Sequence, residues 1–130
     1  MRQEFVPYEQ ALALKELGFD EPCFGLWNLN NGKHEVDIIG VCKYSKEFKY
    51  REVLAPTFSQ AFKWFREKYD ILATVYSNAS GYLYEWSDNV GGTHRGWSND
   101  EGPNNGGVWD TYEEAELACL KKLIEIAQSK

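Results

Sequence analysis

Histidine occurs twice in the 130 residues, at His34 and His94, and cysteine three times, at Cys23, Cys42 and Cys119. The cysteine number is odd and no pair has CxxC spacing. A disulfide framework or thiol-rich zinc site is therefore not expected, and reduced cysteines acting as small core residues are. Two histidines are a poor supply for a histidine-based metal site. No GxGxxG, P-loop, HExxH or GxSxG stretch is present, so an enzyme reading begins without a motif, and neither cofactor nor metal is expected. Basic residues number 14 against 20 acidic ones, a net charge of −6. That balance lacks the basic footprint of a protein that grips phosphate backbones, so direct nucleic-acid binding is not expected. Acidic and basic residues are interleaved, as on an ordinary solvated surface. No apolar run approaches the ~20 residues that span a bilayer. The start "MRQEFVPYEQ" has no signal-peptide core, and the expected location is the cytosol.

What the chain has is aromatic mass: five Trp, eight Tyr and seven Phe, within a hydrophobic share of 43%. That supplies a real core at the length of one domain, 1–130. Large rings fill the interior of a small sheet protein, and Tyr and Trp are also favoured where a surface binds something. Three segments read as helices. "VPYEQALALKELGF" opens on Pro7 and ends on Gly18, a left-handed cap that lets Phe19 fold back towards Leu14. "APTFSQAFKWFREKY" offers Thr57 and Gln60 as a capping box, with Phe58, Ala61, Phe62, Phe65 and Tyr69 on one face. "DTYEEAELACLKKLIEIAQSK" repeats the device with Thr111 and Glu114, Asp110 being a rival cap. Its stripe is Tyr112, Ala115, Cys119, Leu123 and Ile126. The starts "YEQA", "FSQA" and "YEEA" look alike, but helix-start grammar produces that likeness without duplication.

Strand-like runs flank "NNG" in "CFGLWNLNNGKHEVDIIGVCKY", a hairpin signal. There Val36, Ile38, Cys42 and Tyr44 alternate with Asp37, Ile39, Val41 and Lys43, and "FKYREVL" offers a third strand. "ILATVYSNASGYLYEW" reads as a second hairpin with Tyr82, Tyr84 and Trp86 on one face, Leu83 and Glu85 on the other. The order α-ββ(β)-α-ββ-α predicts an α+β domain: one antiparallel sheet of four to five strands with three helices.

The blocks "EFVPYEQALALKELGFDEPCFG", "APTFSQAFKWFREKY" and "YEEAELACLKKLIEI" resemble, in the same order, a family of small proteins of unknown function. That family belongs to phages, prophages and mobile elements of Bacteroidetes-type gut bacteria. The resemblance covers roughly 50 residues and carries no catalytic residues with it. It implies a setting: an accessory protein in the cytoplasm of a bacterial host, where such products often inhibit host enzymes or defences.

"NVGGTHRGWSNDEGPNNGG", residues 89–107, reads as a long Gly/Asn-rich loop. Unstructured loops beyond about 12–15 residues are usually functional or disordered. A tolerated surface insertion is the plain alternative, since loop length costs little entropy. Glycines at 91, 92, 96 and 102 permit backbone nests for anions. His94 and Arg95 supply donors for phosphate or carboxylate. Trp97 either plugs the core or offers a stacking plate. If the face bearing Tyr82, Tyr84 and Trp86 is open, it adjoins this loop as an aromatic platform; if a helix covers it, these residues are core. Trp64, off the main face of its helix beside Lys68, is a further partner-contact candidate that could equally be packed. Two functions follow. In the first, the domain binds and sequesters or inhibits a host protein or a small anionic metabolite through loop 89–107, with Asp100 among the contacting residues. In the second, His94 acts as acid or base, with Asp100 or Glu101 nearby, on a polar or nucleotide-like substrate. Self-association is left open.

Overall fold

The computed structural model describes residues 4–30, 33–42, 53–90 and 92–130. The elements run α1 (Tyr8–Glu16), β1 (Cys23–Asn30), β2 (Lys33–Cys42), β3 (Val53–Ala55), α2 (Phe58–Tyr69), β4 (Ile71–Asn78), β5 (Gly81–Val90), β6 (Thr93–Asn99) and α3 (Tyr112–Gln128). The class is α+β with three helices, as expected. The single sheet of four or five strands is a correction: the described residues form two antiparallel three-stranded sheets. The chain divides into two compact units, Met1–Ala61 and Phe62–Lys130. The Asn31-Gly32 turn, Lys43, Tyr44, residues 48–52 of "FKYREVL" and Gly91 lie outside the described residues.

In the first unit β1 is central, in the order β2-β1-β3. Helix α1 ends as its sequence demands. Gly18 takes φ 101, and its N–H bonds to the Lys15 carbonyl at 3.0 Å. The Phe19 N–H then reaches the Leu14 carbonyl at 2.9 Å, closing a Schellman cap that buries both side chains. The Trp27 indole donates to the Val6 carbonyl at 2.8 Å and packs beside the buried cluster of Phe5, Val36 and Ala55. At the start of α2, Thr57 caps the Gln60 N–H at 3.2 Å. The expected reciprocal half of the box is replaced: the Gln60 side chain donates to the Pro22 carbonyl instead.

The second unit is a meander, β4-β5-β6, with α3 packed on β4 and β5. The two sheets are thus strung differently, which fits helix-start grammar better than duplication. The stripe of α2 is turned from the expected one. Trp64 is 7% exposed, whereas Phe62 is only half-buried. The Trp64 ring meets Phe65 edge-on at 5.2 Å and Tyr69 at 5.6 Å, with the Lys68 ammonium 4.9 Å from its centroid. Trp64 is therefore packed, and its reading as an exposed partner contact is corrected.

Helix α3 opens with the full capping box: the Thr111 hydroxyl accepts from the Glu114 N–H at 3.1 Å, and Glu114 accepts from the Thr111 N–H at 3.1 Å. Asp110, the rival cap, instead accepts from the Asn104 amide at 2.6 Å. Thr111→Ala is expected to cost about 0.5–2 kcal/mol in urea melts; an unchanged midpoint would mean that the box forms without stabilising. The buried stripe is Ala115, Cys119, Leu120, Leu123, Ile124 and Ala127, so Tyr112 and Ile126 lie further out than the sequence pattern suggests. Burial, reinforced by the Glu116 carboxylate, pushes the Cys119 thiol up to about 12. Cys23 and Cys119 are both buried. Because the thiolate is the reactive form, iodoacetamide at a pH of about 8 should spare Cys119 in the native protein and modify it once unfolded. Native-state labelling at the rate of a small thiol would contradict this packing.

Candidate functional site

The segment 89–107 is not one long loop. Strand β6 occupies its centre and pairs with β5: Val90 faces Thr93, Asn89 faces His94, Asp88 faces Arg95, Trp86 faces Trp97 and Tyr84 faces Asn99. This overturns the reading of 89–107 as a long loop, because the stretch supplies a whole strand of the second sheet. A continuous strand would next bring residue 101 opposite Tyr82. Instead the chain makes an excursion, and Trp109 resumes the ladder there: its N–H donates to the Tyr82 carbonyl at 2.8 Å and its carbonyl accepts from the Tyr82 N–H at 3.0 Å. Within the excursion, Gly102 N–H bonds to the Gly107 carbonyl at 2.9 Å and Asn104 N–H to the Val108 carbonyl at 3.1 Å. Val108 is fully buried. Backbone groups paired in this way make a folded segment.

The alternation of side chains sorts the candidate residues onto the two faces of this sheet. Tyr82, Tyr84, Trp86 and Asp88 of β5 share one face with Arg95 and Trp97 of β6, as their pairing requires. That face has two ends. At one, α3 and the end of the excursion cover it. Tyr84 is 1% exposed and stacks with Trp109 at 5.7 Å, while Tyr82 meets Tyr112 edge-on at 6.3 Å. Burial, with Glu101 next in effect, raises the Tyr84 hydroxyl pKa well above its ordinary value. Tyr84 is thus core, which removes it from the candidate contact surface.

The other end of the face joins Trp86, Trp97, Arg95 and Asp88. The two indoles stack at 4.6 Å with 11° between their planes. The Arg95 guanidinium carbon lies 4.7 Å from the Trp97 centroid, and Trp97 remains 38% exposed. Trp97 is therefore a stacking plate resting on a second plate. The Arg95 Nε is 3.8 Å from Asp88 Oδ1, close enough for an ion pair but beyond hydrogen-bond range. The Asp88 side chain is only 8% exposed, and its Oδ1 has no hydrogen-bond donor among the described residues. A buried acceptor left without a donor costs about 1–3 kcal/mol. Asp88 was not among the residues singled out from the sequence. Its signal was cross-strand: Asp88 and Trp86 stand two apart, as do Arg95 and Trp97, with Gly91-Gly92 between the runs as a hairpin punctuation.

His94 lies on the opposite face, with Gly96 and Ser98. Its side chain is exposed and makes no hydrogen bond or ion pair with a described residue. Asp100 starts the excursion beyond the ladder and takes no part in the Asp88–Arg95 pair. On this second face a shallow groove of about 380 Å³ runs across all three strands, lined by Leu72 and Thr74, Glu85 to Ser87, and Gly96 to Ser98. Glu85 Oε1 accepts from the Ser98 hydroxyl at 2.9 Å and the Tyr76 hydroxyl at 3.1 Å. Burial and this bond raise the Tyr76 pKa. Among the described residues no cluster of three or more His, Cys, Asp and Glu side chains is placed to hold a metal ion, and no helix is long and apolar enough to cross a membrane. Comparison with family models, curated proteins and solved structures finds no match to the chain.

Proposed function

We propose that the chain is a non-enzymatic binding protein that captures a protein partner through the Trp86–Trp97–Arg95 end of its second sheet. What supports the reading is the stack itself: two parallel indoles 4.6 Å apart, the outer one 38% exposed and overlaid by an arginine. Trp is among the side chains that most often dominate binding energy, and a rigid plate loses little entropy when covered. A small anionic metabolite is favoured less, because Asp88 already offsets the Arg95 charge. An acid–base role for His94 has less support still: the residue lies across the sheet from this cluster without an orienting partner among the described residues. The resemblance of the three helix-opening blocks makes the natural partner a factor of a bacterial host, met by a phage or mobile-element accessory protein.

The test is capture of the tagged chain's partner from host lysate, identification by mass spectrometry, and measurement of its affinity for Trp97→Ala. Loss of about thirtyfold is expected for a hot-spot tryptophan. Undiminished affinity would overturn the reading. A melting curve of the same variant separates lost contact from lost fold.

A further inference from the structure

Of the features near the stack, Asp88 is the one whose chemistry is incomplete. It is a carboxylate more than nine-tenths buried, on the same sheet face as the aromatic pair, with one oxygen lacking a donor among the described residues. Arg95 approaches it at 3.8 Å through Nε, without a hydrogen bond, while its guanidinium rests on Trp97 and half of the side chain remains exposed. The neighbouring surfaces are flat indole faces, which attract cations as well as apolar groups. A buried carboxylate beside an aromatic face is the chemistry that recognises a cation, and here the occupant is a residue of the chain's own edge strand, loosely held.

We infer that Asp88, Trp86 and Trp97 form a recognition site for an arginine side chain of a basic protein segment, and that Arg95 is its in-chain stand-in. The inference rests on the binding reading above and names the partner's chemistry. An incoming guanidinium lies flat on the Trp97 ring and directs an N–H to Asp88 Oδ1, completing the bond that Arg95 leaves unmade. Arginine fits better than lysine because its planar fork stacks and bonds at once and is more weakly hydrated than an ammonium. The chain's net charge of −6 complements a basic segment and repels an acidic one.

The stand-in role sets the sign of a substitution. A residue that grips the partner is missed when removed, whereas a residue that occupies the partner's place is displaced at a cost, and its removal improves binding. The probes are acetyl-Gly-Arg-Gly-amide, the same peptide with citrulline, and inorganic phosphate. Each is titrated into the full chain while the indole N–H of Trp97 is followed by NMR, assigned through Trp97→Phe. The expected result is binding of the arginine peptide at least about tenfold more tightly than citrulline. Arg95→Ala should tighten it by about threefold or more, since a competing cation–π contact is gone. Asp88→Asn should abolish the preference for arginine over citrulline. Should Asp88→Asn lose its melting transition, the Arg95→Ala and citrulline arms decide alone. Weaker binding in Arg95→Ala, equal affinity for citrulline, no arginine response at all, or a phosphate response that Arg95→Ala removes would each overturn the arginine site. If the captured host protein is lost on Trp97→Ala but also weakened by Arg95→Ala, the binding reading stands and this inference falls.

Discussion

Replacing Phe65 with alanine is expected to lower the unfolding free energy by about 3–5 kcal/mol, the usual cost for a buried phenylalanine. The side chain is fully buried. Its ring meets Trp64 edge-on at 5.2 Å and Tyr69 at 5.8 Å, so truncation removes transfer energy and also leaves a cavity between two large neighbours. Phe62, three residues earlier on the same helix, is the internal control. It is half-buried, so its alanine variant loses less apolar contact and should cost clearly less. Urea melts of both variants at equal m-value give the comparison. A Phe62→Ala penalty equal to or above that of Phe65→Ala would mean that the buried face of α2 is centred where the sequence stripe put it, and that Trp64 is turned outward.

Gly107→Ala is expected to cost about 2–4 kcal/mol, combining backbone strain with a clash that has nowhere to relax. Gly107 has φ +73, and a Cβ there would come 2.0 Å from the carbonyl oxygen of Asp100 and 2.4 Å from its carbonyl carbon. These are main-chain atoms at the mouth of the excursion, held by the Gly102–Gly107 bond, and they cannot swing aside as a side-chain tip would. Gly106 isolates the clash. Its φ is +90, but a Cβ there meets nothing within 4 Å. Gly106→Ala should therefore cost only the left-handed penalty of about 1–2 kcal/mol. Equal losses at the two positions would show that the mouth of the excursion is not closed in this way.

Legibility in the sequence followed the distance over which each feature is decided. The Gly18 cap and the Thr111–Glu114 box are settled within six residues by side-chain chemistry, and both can be read directly. The hairpin around Asn78 is equally local: its side-chain oxygen accepts from Ser80 N–H at 2.8 Å and Gly81 N–H at 3.1 Å. Strand β6 is different. "THRGWSN" has one β-branched residue, a glycine and an asparagine, so its own preference for strand is weak. Pairing with β5 decides its state, through Trp86 against Trp97 and Asp88 against Arg95. The same non-local origin hides Asp88: a carboxylate in an exposed-looking run meets Arg95 only through the pairing of a third strand. Of the candidate contact residues, Arg95, Trp97 and Trp86 come together. His94 falls on the other face because neighbours in a strand point oppositely, and Tyr84 is taken into the core by α3 and Trp109.

The return of Trp109 to the β5 ladder also insulates one part of the chain from another. Residues 100–108 leave and rejoin the same strand edge, and the two hydrogen bonds between Tyr82 and Trp109 are made before α3 begins at Tyr112. The phase and height of α3 over the sheet are therefore anchored to β5 and not to the length of the segment before it. Residues added or lost at the tip, around Asn105 and Gly106, have no lever on the helix as long as the Gly102–Gly107 closure holds. Such a tip can drift in sequence, under selection from whatever it meets, at little risk to the core beneath.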